Sequence, residues 1–192
     1  MQHSPSPRFS IASPRIRLRP ERCRLDAELR TMLVALASDF VVPGSTMHFI
    51  GIGVTDDVLS DFRAKLDRGV RFVATTAHED SLHAVPDTSV AILIETARTI
   101  HPLLRASLIA NVYRSLRPGG CVLLVEAIRS RNSLLNNLFA AHAHAHGRVE
   151  LPEAMQSAGS IEEELLLLTH AGFRSVEVFY RWYGSCGFMA TK

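Results

Sequence analysis

A glycine pair, carboxylates that close apolar runs, and a histidine cluster are the residues of this sequence with types and spacing suited to chemistry. Gly51-Ile52-Gly53 ends the apolar run that begins at Met47, and glycines there let backbone approach a ligand closely. Asp56 and Asp57 follow within one turn, and Glu79 and Asp80 lie in a polar stretch after the run 70–75. Glu95 and Glu126 each close a continuous apolar run, where a carboxylate either meets a ligand or caps a neighbouring loop. On a helix, His142 and His146 share a face while His144 points away. No Cys, Asp or Glu nearby completes a closed ligand set, so the cluster reads as a solvated helix end and no metal is expected. Ser-His-Asp spacing, a Walker loop and zinc motifs are all absent from the sequence.

Alternating helices and strands must position these residues. Leu29, Met32, Leu33 and Leu36 recur at helical spacing after Asp26, a suitable N-cap. Pro43-Gly44-Ser45 breaks the chain before a buried strand at 46–52. Thr55 then caps a helix with Asp56 and Asp57 at the positive end of its dipole, and Gly69 ends it before a strand at 70–75. Residues 90–94 form a β-branched run typical of a parallel strand covered on both faces. Leu104, Leu108, Val112 and Leu116 mark the next helix, and Arg117-Pro118-Gly119-Gly120 turns it into a strand at 121–125. A helix over 132–146 follows, then one opened by the capping box Ser160-Ile161-Glu162-Glu163 and closed by Gly172. The runs 176–180 and 188–191, separated by glycines, read as an antiparallel pair. The expected architecture is α/β and Rossmann-like: a mostly parallel sheet with antiparallel strands at its C-terminal end.

Composition narrows the setting. The 192 residues are 47% apolar and 21% charged with a net charge of +2, ordinary for one globular domain that does not advertise nucleic-acid or membrane binding. No apolar run approaches the ~18 residues that span a bilayer. Cys23, Cys121 and Cys186 are scattered and odd in number, which suggests a reducing compartment, and a cytoplasmic location is expected. Residues 1–24 hold six arginines against the single acid Glu21, with Pro5, Pro7, Pro14 and Pro20 among serines. That composition predicts a disordered basic tail over 1–15 and a folded domain over 16–192. The tail's acid-poor character faintly suits a transit peptide, which its prolines argue against.

Several motifs resemble one superfamily. The run 89–94, then His101-Pro102, then residues 110–120 ending in Leu116-Arg117-Pro118-Gly119-Gly120 resemble the fourth strand, helix and glycine turn of class I S-adenosylmethionine (SAM)-dependent methyltransferases. His170-Ala171-Gly172-Phe173 resembles the turn into that family's sixth strand. The ending 180–192 is most similar to the carboxy-SAM synthase branch, which acts in tRNA wobble-uridine modification. The resemblance covers about residues 46–192 and implies SAM as cofactor, at the carboxyl ends of the strands where the sheet order reverses.

It also implies site residues that can be checked. The family uses a glycine turn after the first strand, a ribose carboxylate ending the second and an adenine-contacting acid after the third. With residues 16–18 as first strand and 46–52 as second, the first turn has no glycine, Gly53 stands in the carboxylate position and Ala77 in the third. Asp56 or Asp57 would then have to replace the ribose acid, and Ile94 and Glu95 stand at the mouth of the fourth strand. The alternative register makes Gly51-Ile52-Gly53 the glycine turn and Glu79 or Asp80 the ribose acid. It leaves about 40 residues before the strand at 90, few for two further strand–helix units, so the first register is preferred. The branch also carries an arginine for an extra carboxylate before its last helix, and residues 155–159 are shortened without one.

Two readings of function follow from the resemblance. The first is a SAM-dependent methyltransferase-family protein with an atypical, weak or lost cofactor site, acting on a small molecule or RNA. The second is a non-catalytic relative that serves as a binding partner or subunit of another protein. Trp182 and Tyr183 in the terminal turn are read as core or rim packing ahead of a substrate-pocket role.

Overall fold

The computed structural model describes residues 25, 27–51, 54–66, 69–75, 85–98, 100–145 and 158–192. Asp26, Gly53, Glu79, Asp80 and His146, the candidate strand at 16–18 and the tail at 1–15 lie outside them. Six strands form one sheet: β1 (Thr46–Gly51), β2 (Arg71–Thr75), β3 (Thr88–Ile94), β4 (Leu116–Ala127), β5 (Arg174–Trp182) and β6 (Ser185–Thr191). Their order is β2-β1-β3-β4-β6-β5. β1 pairs in parallel with both β2 and β3, and β3 with β4, while β6 runs antiparallel to β4 and β5. The expected mixed sheet is therefore present.

Burial explains which runs became central strands. Every residue of β1 and β3 is buried, as continuous apolar sequence requires when helices cover both faces. On one face α1 (Ala27–Ser38) and α2 (Asp56–Leu66) bring Leu29, Leu33, Val58 and Phe62 onto Met47, Phe49 and Ile92. On the other face α3 (Pro102–Ser115) and α5 (Ile161–His170) bury Leu108, Ile109, Val112 and Leu168 against Ile50, Leu93 and Val122. α4 (Ser133–Ala145) packs through Phe139 and Ala143 near the end of β4. Ser160 and Glu163 make the reciprocal capping-box bonds, and Gly172 closes α5 at φ 102°. No helix of the described residues is long and apolar enough to cross a membrane.

Two details differ from the sequence reading. β4 begins at Leu116 and carries the Pro-Gly-Gly segment as a bulge: Thr88 pairs with Leu116, then Val90 with Cys121. Gly119 and Gly120 hydrogen-bond the backbone of Lys192, so the expected turn is held by the chain's last residue. The larger difference concerns register. β1 is hydrogen-bonded directly to β3, Phe49 opposite Ile92 and Ile50 opposite Leu93, so no strand fits between them. The strand at 46–51 thus occupies the first-strand place and 71–75 the second, which corrects the preferred register. The 40-residue objection fails because, among the described residues, one strand–helix unit is absent between β2 and β3.

Gly51 shows how tightly β1 meets β3. A Cβ there would lie 1.9 Å from the Ile94 carbonyl oxygen, and its φ of 130° disfavours any L side chain. Gly51→Ala is expected to cost roughly 3 kcal/mol or more, from positive-φ strain plus overpacking against backbone. Gly44→Ala, with φ 81° and nothing within 4 Å, should cost only about 1–2 kcal/mol. Guanidinium unfolding midpoints of the two variants check the ordering.

Candidate cofactor crevice at the carboxyl ends of β1 and β3

Strand order reverses between β1 and β3: β2 lies on one side of β1, and β3 with everything after it on the other. That is the switch point at which open parallel sheets leave a crevice outside the carboxyl ends of the strands. Gly51 ends β1 at this crevice and Glu95 directly follows β3. α2 starts a few residues after Gly51, with Asp56 and Asp57 exposed in its first turn. Of the sequence candidates, the structure therefore brings Gly51 and Glu95 to one mouth and puts Asp56 and Asp57 on the adjoining helix start. Asp57 also lines a small hollow of about 130 Å³ with Leu25, Arg30 and Thr55 on the α1 side. A larger hollow, about 630 Å³, lies between α1 and α2 away from the strand ends, so the crevice is defined by sheet topology.

Glu95 is in the left-handed region, at φ 50°, which costs a non-glycine residue about 1–2 kcal/mol. Its surroundings enforce that conformation. The Glu95 amide donates to the Val125 carbonyl at 2.8 Å, and the next two residues are pinned by Glu126. Glu126 Oε1 accepts from the Thr96 amide at 2.9 Å, from the Thr96 hydroxyl, and from the Ala97 amide at 3.2 Å. Of the two strand-end carboxylates, Glu126 is thus a loop cap, 1% exposed, and Glu95 is the one beside the crevice.

Behind the cap lies a buried ionic cluster that sequence reasoning missed. Arg105 on α3 sits 3.4 Å from Glu126 and forms a two-pronged pair with Glu164 of α5, at 2.5 and 2.8 Å. Burial opposes the Arg105 charge, but the Glu126 and Glu164 carboxylates outweigh it and raise its pKa. Burial pushes the Glu126 carboxyl up to about 7, with Arg105 and the Thr96 and Ala97 bonds opposing. These residues stand 21 to 59 positions apart, and no local motif links them.

The end of β2 is neutral. His48 on β1 is buried and hydrogen-bonded through Nε2 to the Thr75 hydroxyl at 2.9 Å, and desolvation lowers its pKa to about 4. Thr75 is the last residue of β2, where the family places its ribose carboxylate. At the far side of the mouth, His142 stacks on Tyr183 at 3.6 Å, with Trp182 edge-on to both. The aromatic turn is accordingly rim packing against α4. Among the described residues no group of three or more His, Cys, Asp or Glu side chains could hold a metal ion.

This sheet with its switch-point crevice is the Rossmann-like fold of class I SAM-dependent methyltransferases. The solved structure of human N-acetylserotonin methyltransferase in complex with SAM superposes with a TM-score of 0.55 at 15% identity, over 86% of this chain and 53% of that one. The CurJ carbon methyltransferase gives 0.57 at 14% identity, over 84% and 53%. This chain spans about half the length of both structures. In sequence the chain is similar to carboxy-S-adenosyl-L-methionine synthases. That of Methylococcus capsulatus is 26% identical over 205 positions, covering 86% of this chain and 84% of the relative. That of Desulfotalea psychrophila is 28% identical over 169 positions, covering 79% and 68%. No protein-family model matches the chain.

The two buried titrating groups act on stability in opposite directions. Glu126, raised from 4.5 to about 7, contributes stability that is complete below pH 4.5 and is lost as pH rises towards 7. His48, lowered from 6.5 to about 4, contributes stability that is complete above pH 6.5 and is lost as pH falls towards 4. The wild type alone will show partial cancellation between them. The stability of wild type relative to Glu126→Gln is expected to fall by something of the order of 3 kcal/mol from pH 4.5 to 7. Relative to His48→Gln it should instead rise over pH 4 to 6.5. Urea unfolding across pH checks both slopes, and a flat difference for Glu126→Gln would contradict the assignment.

Proposed function

We propose that this chain is a SAM-dependent methyltransferase-family protein with an atypical cofactor site, binding SAM weakly in the crevice between β1 and β3 and acting on a small molecule or RNA. The observation that carries this reading is the switch point itself, with Gly51 ending β1, a helix starting just beyond it, and Glu95 held beside it in a strained conformation. Under this reading Gly51 and Gly53 form the cofactor turn, Glu95 faces the bound group, and Glu79 or Asp80, following β2, is the remaining candidate for the ribose. Asp56 and Asp57 are the alternative ribose acceptors.

The described end of β2 itself carries no carboxylate for the ribose, so that contact falls to Glu79 or Asp80, or to Asp56 or Asp57. β2 ends in Thr75, whose hydroxyl is engaged with a neutral histidine. Losing two charge-assisted hydrogen bonds of ~1.5–3 kcal/mol each moves a micromolar site towards millimolar, since about 1.4 kcal/mol is tenfold. Carboxy-SAM synthesis, the activity in the relatives' name, is disfavoured, because residues 155–159 lack the arginine that the branch resemblance calls for. The same neutral β2 end favours the second reading, a non-catalytic protein that acts as a binding partner or subunit.

Calorimetric titration with SAM and with S-adenosylhomocysteine separates the readings. A dissociation constant near millimolar, weakened further by Glu95→Ala, is the expected outcome. Micromolar affinity abolished by Asp56→Ala or Asp57→Ala would contradict weak binding and end the non-catalytic reading.

A further inference from the structure

The sheet has two outer edges, and they differ in kind. β5, at one end, carries the devices that blunt an edge against further pairing. It shifts register twice against β6, holds Ser175 in the left-handed region at φ 47°, and bears the charges of Arg174, Glu177 and Arg181. β2, at the other end, is short but otherwise flat. Arg71-Phe72-Val73-Ala74-Thr75 pairs with β1 without a shift and contains no proline. Its one charge, the Arg71 guanidinium, is engaged with the Thr46 hydroxyl at 2.8 and 3.1 Å. The Arg71 amide donates to the Ser45 carbonyl on the β1 side at 3.0 Å. In a parallel ladder the amides of Phe72 and Ala74 therefore point the other way, to an edge with which no strand among the described residues pairs.

One stretch of sequence fits that edge. Arg15-Ile16-Arg17-Leu18-Arg19 alternates charged and apolar residues at period two, the pattern of a strand covered on one face. Pro14 and Pro20 bound it, where a proline costs no ladder bond. Direct pairing of β1 with β3 denies it a central place, and an alternating pattern suits an edge better. We propose that residues 15–19 add to the outer edge of β2 as a parallel strand, with Ile16 and Leu18 beside Phe72 on the face covered by α2. Phe72 stacks on Phe49 there and lies under Arg63 of α2, so the apolar pair extends the existing core. The arginines then fall on the opposite face, where Arg71 is already exposed.

The chain's path allows this and sets its direction. Leu25, buried just ahead of α1, shares a hollow with Thr55, Asp57 and Val58 at the start of α2, level with the carboxyl ends of the strands. Residues 20–24 can reach about 17 Å. The two strand spacings from β1 to the new position are about 10 Å. The segment thus reaches the carboxyl end last and runs the same way as β2. Being tethered, it meets that edge at a local concentration of the order of millimolar, which favours it over a separate chain.

Amide hydrogen exchange on the full chain reads the pairing. The Phe72 and Ala74 amides should exchange at least about a hundredfold more slowly than unstructured amides. Nuclear Overhauser contacts should join backbone protons of 15–19 to those of 71–75. Ile16→Asp combined with Leu18→Asp should return both amides to fast exchange, while Phe49 and Ile50 keep their protection and so report a folded sheet. Unprotected Phe72 and Ala74 amides in the wild type would overturn the proposal. So would protection that survives the double substitution or rises with protein concentration. Contacts of Ile16 and Leu18 with Val34 and Ala64, in the hollow between α1 and α2, would overturn it by placing the segment there.

Discussion

The direct backbone contact of β1 with β3 is the constraint on which the rest of this structure depends. Gly51 can end β1 only as glycine, because the Ile94 carbonyl occupies the space its Cβ would take. With those two strands in contact, β2 lies outside β1, α1 and α2 cover one face, and the crossover from β3 to β4 brings α3 to the other. The crevice is a consequence of that arrangement, opening where the two crossover directions part. Gly51 therefore has a strand-packing reason to be glycine that is independent of any ligand.

A second layer of constraint is ionic. Glu126 converts the end of β4 into a cap for the turn after β3, and Arg105 ties that cap to α5 through Glu164. Burying three ionisable groups is costly, and such clusters stabilise a fold only when nearly all their polar atoms are paired. Here the Arg105 Nε has no hydrogen-bond partner among the described residues, and the Glu126 carboxyl sits far above its ordinary pKa. The cluster's contribution is better understood as geometry: it holds Glu95 in a backbone conformation it would not adopt alone. Strained residues held this way concentrate at functional sites, which is why Glu95 stands out over Glu126.

Local chemistry made most of the fold legible. Continuous apolar runs became buried strands, the Ser160 capping box and Gly172 bounded α5, and Thr55 opened α2, all through interactions within a few residues. The site was less legible because its decisive facts are pairings between distant residues. Whether 46–51 is a first or second strand depends on what lies beside it, and chain length argued wrongly while a full complement of strand–helix units was assumed. The Arg105 cluster and the His48–Thr75 pair span tens of residues and leave no periodic trace. That Gly51, Glu95 and Glu126 stand at strand ends is visible in sequence, whereas which of the two carboxylates caps a loop is not, since capping depends on where the next loop folds.

The neighbour of β1 decides where the crevice lies. Nuclear Overhauser contacts between backbone protons in the folded protein measure it directly. Cross-strand contacts of Phe49 with Ile92 and of Ile50 with Leu93 are predicted, with those of Phe49 to Ala74 on the other side. Contacts of residues 16–18 with both β1 and β3, in place of contacts between β1 and β3, would restore a separate first strand and contradict the crevice described above.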